Sequence, residues 1–444
     1  MKSWPRPAVP AIPSLGETLE LTDTPTGTTT AVNSRGNLAS LYVCGITPYD
    51  ATHLGHANTY VHFDVLVRYW LACGVEVNYV QNVTDIDDPL LERAEATGQD
   101  WRELAASQTD LFRADMQALR VIPPTTYMGA VEMIPGVVAD VEKLLRLGVA
   151  YPVPAEDAAG DDYYFDIAAA EANTSWRLGS VGGYDRPTME ELFPDRGGDP
   201  QRRGKRDSLD PLLWRAARPG EPQWDGGSLG AGRPGWHIEC SVIARRHLPA
   251  PFTLQGGGSD LRFPHHEFSA AHATACDGVP LAEHYMHTGM VGLHGEKMSK
   301  SRGNLVLVSE LLAAGTDPQA VRTLLLSHHW REDWDYTPED LAAAEARLQR
   351  WKTALARAPE HHGGEHDAAA SAPSEKPHHV AGLGEPDELQ YALHAALANN
   401  LNAPAALDTL DLWADGHVAT GTARERVVDV VDALLGLDLS SPGH

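Results

Sequence analysis

Cysteine is scarce in this chain. Cys44, Cys73, Cys240 and Cys276 are the only four among 444 residues. So few thiols do not make a disulfide scaffold, and they fit a reducing cytoplasm, where a cysteine is free to be a metal ligand or a core residue. Basic residues are in deficit as well. Lys and Arg number 35 against 61 Asp and Glu, a formal net charge of −26. Such a field repels phosphate backbones and argues against tight non-specific nucleic-acid binding. No run of about 18 apolar residues occurs, so no membrane span is expected. The opening MKSWPRPAVPAIPSLG is proline-rich and lacks the apolar stretch of a signal peptide. No internal repeat is present. What remains is an ordinary globular composition, 43% hydrophobic and 22% charged, on a chain long enough for two or three packed domains.

The stretch LASLYVCG reads as a buried strand. GHANTYVHFDVLVRYWLACG reads as a helix apolar nearly all round, stopped by Gly74, and VEVNYVQNVT (75–84) alternates like a strand. Strand, loop, helix, strand is a βαβ unit and implies a parallel sheet. Helical patterns follow near 101–120 and 131–147. From about 150 to 230 the chain turns polar and glycine-rich around a strand-like YYFDI, as an inserted subdomain would. A helix at PGWHIECSVIARRHL and a strand at PFTLQG resume the apolar pattern. Leu341, Ala344, Leu348, Trp351 and Leu355 mark one face of a later amphipathic helix. The histidine-rich 360–386 stretch reads as a flexible linker, and a short helical segment, 387–437, closes the chain.

Four clusters carry chemistry. In HLGH, His53 and His56 flank Gly55 at the expected start of the first helix, where backbone N–H groups and the helix dipole favour an anion. GEKMSKSRGN places Lys297 and Lys300 in a glycine-flanked loop able to close over a triphosphate. Cys44, Cys240 in GWHIECS, and the pair His265–His266 supply thiolate and imidazole, the donors zinc takes. LQGGGSDLRF follows a strand with three glycines, which lets a ligand approach the backbone, with Ser259 and Asp260 beside it.

Together these motifs resemble the class I aminoacyl-tRNA synthetases: HLGH is similar to their HIGH element, and Lys297-Met298-Ser299-Lys300-Ser301 is their KMSKS element. GRPGWHIECS, GGGSDLRFPHHE and LNAPAALDTL resemble the cysteinyl-tRNA synthetases. Three departures stand out. The first loop reads CGITPYD rather than the usual pattern, Ser269 stands where those enzymes have a fourth zinc ligand (a glutamate), and the tail leaves little room for an anticodon-reading domain. With CGITPYDATHLGHA and DRGGDP (195–200), the chain resembles instead the cysteine ligases of mycothiol biosynthesis.

That resemblance implies an α/β class I synthetase-type fold, a Rossmann-like parallel sheet with an inserted subdomain and a C-terminal helical bundle. The expected division is an N-terminal extension at 1–35, a catalytic domain at 36–148 and 231–305, an insertion at 149–230, helical parts at 306–358 and 387–444, and the linker at 359–386. The implied reaction activates L-cysteine with Mg·ATP and passes it to the amine of 1D-myo-inositol 2-amino-2-deoxy-α-D-glucopyranoside, giving AMP and diphosphate. The alternative is a cysteinyl-tRNA synthetase with a reduced C-terminus. By resemblance Cys44, Cys240 and His265 hold one Zn²⁺, and His53, His56, Lys297 and Lys300 are catalytic. Contacts to the cysteinyl adenylate are expected from Cys44, Gly45, Ile46, Thr47, Thr59, Asn82, Val83, Thr84, Trp236, Gly258, Ser259, Asp260 and Val291. The expected protein is a cytoplasmic monomer with small-molecule substrates and neither tRNA nor membrane as partner.

Overall fold

In the computed structural model residues 1–50, 52–298, 303–358, 387–417 and 423–440 are described, Lys297 by its backbone alone. Lys300 and Ser301 of the KMSKS element, and the 359–386 linker, lie outside the described residues. β1 (Glu20–Thr22) and β2 (Thr29–Ala31) pair as a short antiparallel hairpin. β3 (Leu38–Val43), α1 (Leu54–Ala72) and β4 (Glu76–Val83) then form the expected βαβ unit, with β3 and β4 parallel from Leu38 opposite Glu76 to Val43 opposite Gln81. α1 is covered on nearly every side, from Leu54 to Ala72, which is why its sequence carries no polar stripe. Gly74, at φ +79°, turns the chain out of it.

α2 (Asp88–Thr97), α3 (Trp101–Ala118), β5 (Thr126–Gly129) and α4 (Ile134–Arg146) follow. α2 and β5 are not announced by the sequence pattern. The inserted region contains β6 (Ala150–Pro154), β7 (Asp161–Phe165), α5 (Ile167–Asn173), α6 (Arg186–Asp195), β8 (Leu212–Ala216) and β9 (Gly232–Pro234). Its strands pair antiparallel in the order β6-β7-β8-β9, so this sheet runs to Pro234, past position 230. α7 (Trp236–His247), β10 (Phe252–Gly258), α8 (Glu267–Asp277) and β11 (Ala282–Thr288) complete the main sheet. Its order is β11-β10-β3-β4-β5, every pair parallel. A small sheet joins β12 (Val291–Leu293) to β13 (Glu296–Lys297) and, beyond α9 (Val308–Ala313) and α10 (Pro318–Leu326), to β14 (Trp334–Asp335). α11 (Pro338–Arg357), α12 (Glu388–Ala398), α13 (Ala403–Ala414) and α14 (Arg424–Leu435) end the fold.

The N-terminal segment and the C-terminal helices share a core with the parallel sheet. One apolar core runs from Trp4 through β3 and α1 to Leu434 and Leu439. Trp4 sets its ring against Phe112 and Tyr127 and donates its indole N–H to the Val121 carbonyl at 2.7 Å. The stripe Ala344, Leu348, Trp351 and Leu355 of α11 is buried in the same core. Among the described residues, no helix is long and apolar enough to cross a membrane.

Candidate active site

The order of the main sheet reverses at β3. From there the chain steps to β4 on one side, while β10 lies on the other. Ligands of open α/β sheets sit at such a switch point, beyond the carboxyl ends of the strands. A cavity of about 580 Å³ opens there. It is lined by Cys44 and Gly45 just past β3, Gly258 at the end of β10, Gly289 past β11, and His53 and His56 at the head of α1.

The HLGH element forms the N-terminus of α1. His53 is its N-cap, and its Nδ1 accepts the backbone N–H groups of Gly55 at 3.1 Å and His56 at 3.4 Å. An imidazole that accepts through Nδ1 carries its proton on Nε2 and presents a donor there. The His53 and His56 rings stack with centroids 3.8 Å apart. Gly55 is required by this stacking arrangement: a β-carbon at that position would lie 2.9 Å from His53 Cε1 and 3.0 Å from its Nδ1. The segment following the KMSKS loop secures the turn from outside, for the Leu54 N–H donates to the Val306 carbonyl at 2.9 Å and the Val308 N–H to Thr52 at 3.0 Å. Met298 lines the same cavity.

Beside this turn lies a buried cluster of thiols and imidazoles. Cys44 Sγ is 3.6 Å from Cys240 Sγ on α7. His265 Nε2 lies 3.1 Å from Cys240 Sγ, and His266 Nε2 lies 3.0 Å from Cys44 Sγ. The donor atoms of Cys44, His265 and His266 all fall within 4.8 Å of one another. Zinc bonds of about 2.0–2.3 Å imply donor–donor edges of about 3.3–3.8 Å in a tetrahedron, so a small shift of these side chains would accommodate such an ion. The chemistry of the donors fits as well. Burial opposes ionising Cys240, but the Cys44 thiol and the His265 ring prevail and hold its pKa well below the ordinary thiol value. Burial, with Cys240 beside it, pushes Cys44 the other way. Burial, then His287 and His265, keeps His266 well below its usual pKa and so neutral, the form that ligates.

The partners behind the cluster fix its geometry. His265 Nδ1 faces His237 Nδ1 at 3.2 Å, and His266 Nδ1 faces His287 Nε2 at 2.7 Å. Ser269 donates its hydroxyl to the carbonyls of His237 (2.9 Å) and His265 (2.7 Å), which ties α8 to α7 and uses the hydroxyl proton on backbone. His266 is the residue that the sequence reading left outside the donor set. His287 also escaped it, being an isolated histidine near the end of a strand.

Of the other expected residues, Ile46, Thr47, Thr59, Trp236, Asp260 and Val291 line the cavity. Asn82, Val83, Thr84 and Ser259 do not. Asn82 is fully buried and works behind the first loop, its Oδ1 accepting from the Gly45 N–H at 2.8 Å and the Tyr42 hydroxyl at 3.1 Å, while its amide donates to Thr84. At the end of β4 the Asn82 amide thus holds the first loop through the Gly45 N–H.

Residues 30–346 match the family described as tRNA synthetases class I (C) catalytic domain. In overall structure the chain resembles Mycobacterium tuberculosis methionyl-tRNA synthetase in complex with methionyl-adenylate, with a TM-score of 0.58 and 16% identity over 91% of this chain and 92% of that one. It also resembles Agrobacterium radiobacter K84 agnB2 LeuRS in its ternary complex with tRNA and LeuAMS, with a TM-score of 0.57 and 12% identity over 92% and 84%. Both likenesses establish the fold. In sequence it is 59% identical to the L-cysteine:1D-myo-inositol 2-amino-2-deoxy-alpha-D-glucopyranoside ligase of Micrococcus luteus, over 99% of this chain and all of that one. It is 54% identical to the ligase of the same name from Clavibacter michiganensis, over the full length of both. The chain therefore belongs to the family of these cysteine ligases, within the class I (C) tRNA-synthetase catalytic-domain fold.

Proposed function

We propose that this protein activates L-cysteine as its adenylate and transfers it to the amine of 1D-myo-inositol 2-amino-2-deoxy-α-D-glucopyranoside, with ATP cleaved to AMP and diphosphate. The observation that carries this reading is one cavity lined both by Cys44, a member of the thiol–imidazole cluster, and by the HLGH turn. Thiol recognition and phosphate chemistry are thereby adjacent. Cys44, Cys240 and His265 would hold Zn²⁺, which when bound favours a substrate thiolate over a serine hydroxyl and so selects cysteine by chemistry rather than size. Ser269, whose hydroxyl donates to the His237 and His265 carbonyls, would not be among the groups that hold the ion.

In the first step the cysteine carboxylate attacks the α-phosphorus of Mg·ATP and diphosphate leaves. His53, with Nδ1 capped by two N–H groups, donates through Nε2 as charge grows on the phosphate, and His56 stands beside it. Lys297 and Lys300 would neutralise the departing diphosphate. Thr59 and Asp260 line the wall where the adenylate would lie. In the second step the neutral amine attacks the adenylate carbonyl and AMP leaves. Closure of the cavity keeps water from the adenylate. The reading extends to a cytoplasmic monomer that uses no tRNA.

Two experiments check this. Purified protein is given ATP, Mg²⁺ and L-cysteine with either the amino-sugar inositol or tRNA, and products are read by mass spectrometry. The expected product is the cysteinyl amide of the sugar with tRNA uncharged; charged tRNA and unreacted sugar would make it a cysteinyl-tRNA synthetase. Separately, Gly55→Ala places a methyl group against His53. It is expected to cut cysteine-dependent ATP–diphosphate exchange by about 10²-fold, the scale of a lost transition-state donor, while thermal stability holds because alanine is the better helix former. Unimpaired exchange in this variant would show that the His53 geometry is not needed.

A further inference from the structure

The second step needs a group to take the proton that the acceptor nitrogen sheds. Most cavity side chains capable of it are already engaged. His53 Nδ1 is capped by backbone N–H groups. Tyr60 gives its hydroxyl to the Cys44 carbonyl. Asp50 pairs with Arg93 at 3.3 Å, Asp88 with Arg233, and Asp199 with Lys205 at 2.9 Å. His56 and Asp260 also line the cavity and are given to the adenylate by the reading above; of the remaining carboxylates among the described residues, Asp87 and Asp195 line it without an ion-pair partner.

These two carboxylates stand on different elements. Asp87 is the N-cap of α2, with one oxygen accepting the Asp88 N–H at 2.8 Å. It is half-buried in the cavity wall, in the same cavity that Cys44 of the thiol–imidazole cluster lines. The carbonyl carbon of a cysteine held at that cluster is three bonds from its sulfur, so the reacting carbon stays close to the cluster and within the cavity that Asp87 lines. Asp195 is exposed and opens the DRGGDP loop of the insertion, a motif to which the mechanism above gives no role. The loop is a built wall. Gly197 turns at φ +83°, and a β-carbon on Gly198 would sit 2.4 Å from the Phe193 ring. Arg196 donates to the carbonyls of Asp260 at 2.8 Å and Phe263 at 2.6 Å, pinning the loop to the strand end that leads into His265.

We propose that the wall between the 195–199 loop and the head of α2 is the acceptor subsite, and that Asp87 receives the proton released by the attacking amine. This rests on the ligase reading above. The neutral nitrogen forms the C–N bond, the bond from the carbonyl carbon to the phosphate oxygen breaks, AMP leaves with the electron pair, and the nitrogen's proton passes to the Asp87 carboxylate and on to water. Asp195 meets the hydroxyl groups of the polar sugar at the mouth. Burial pushes the Asp87 carboxyl up to about 7, with Asp88 adding and the Asp88 N–H, Arg233 and His265 opposing; Glu239 on α7 also faces it. A base with a pKa near 7 is matched to a neutral-pH proton transfer.

The test is Asp87→Asn, which keeps the helix cap because asparagine caps as well as aspartate. Three rates are compared: cysteine-dependent ATP–diphosphate exchange, cysteine hydroxamate formation with hydroxylamine, and amide formation with the amino-sugar inositol. Hydroxylamine is mostly uncharged at neutral pH and small enough for water to take the proton its nitrogen sheds, so its attack does not depend on a side-chain base. Amide formation is expected to fall by about 10²-fold or more, with the other two falling by no more than about threefold. Asp195→Asn is expected to raise the acceptor KM by about tenfold, as for a lost charge-assisted hydrogen bond, with the KM for cysteine little moved. Amide formation at the wild-type rate in Asp87→Asn, or a parallel loss of hydroxamate, overturns the assignment of the base. An unchanged acceptor KM in Asp195→Asn overturns the subsite. A wild-type protein that exchanges diphosphate but makes no amide overturns the ligase reading itself.

Discussion

Replacing Cys240 by alanine is expected to strip the protein of bound metal and to abolish cysteine-dependent ATP–diphosphate exchange. Cys240 is buried on α7 and its sulfur touches two other members of the cluster, His265 at 3.1 Å and Cys44 at 3.6 Å. It is also the thiol whose ionisation the cluster favours. Its loss removes the most anionic donor and leaves one thiol whose own ionisation is opposed by burial. The effect should exceed the about 10–100-fold cost of losing an outer partner of a metal ligand. Elemental analysis of the purified variant and exchange kinetics over a range of cysteine concentrations measure it. A metal-free variant with full exchange would sink the assignment. His266→Asn sharpens the comparison. If His266 orients Cys44 through its 3.0 Å contact, metal affinity falls within the outer-partner range; if it ligates, the loss equals that of Cys240→Ala.

Much of this site is legible in the linear chain because its chemistry is local. A glycine between two histidines reads as room for a phosphate or adenine to approach the backbone, whereas in the structure the group a β-carbon on Gly55 would meet is the His53 ring. Cys44 and Cys240 are marked by their neighbours. His266 is harder to place. Two adjacent histidines on a regular helix point about 100° apart, so the sequence offers only one of them to a metal. Here the extended Phe263 (φ −145°, ψ 136°) breaks the turn that carries them, and both rings reach the sulfurs. Secondary structure follows the same division. α1 is readable from its unbroken apolar run, and the β3–α1–β4 unit with it. α2 is not, since the face it buries is only Leu90 and Ala94, too short to stand out as a period. The joining of the C-terminal helices to α1 is invisible in sequence, because the polar residues that make it are separated by hundreds of positions.

That joint gives the largest expected effect on stability. Asp64 sits midway along α1, fully buried, and accepts the Ile122 N–H at 2.7 Å, Arg68 Nε at 2.7 Å and the Arg322 guanidinium of α10. Arg68 continues to the Asp432 carbonyl on α14 at 2.6 Å, and Arg322 to the carbonyls of Leu435 and Leu119. Both arginine side chains are wholly buried, and burial draws Arg322 down to about 10 even with Asp64 beside it. A buried pair gives little net stability against an apolar replacement, yet removing one partner strands the other charge at a cost of about 3–5 kcal/mol. Asp64→Asn keeps the size of the side chain and deletes only the charge, leaving the Arg322 guanidinium facing an amide while Arg68 retains the Asp432 carboxylate at 3.5 Å. Urea unfolding of this variant is expected to show a loss in that range, and a loss below about 1 kcal/mol would mean that the arginines find other counter-charges. The pH dependence follows from the same residues. Burial opposes ionising Asp64, but Arg68 and Arg322 prevail and hold its carboxyl below the usual value. A carboxylate depressed in the folded state binds fewer protons there than in the unfolded chain. Its contribution is therefore complete above about pH 4, the ordinary aspartate value, and drains away as the pH falls through the depressed one. Wild type should lose stability on acidification over that window, while Asp64→Asn, lacking the group, should lose correspondingly less.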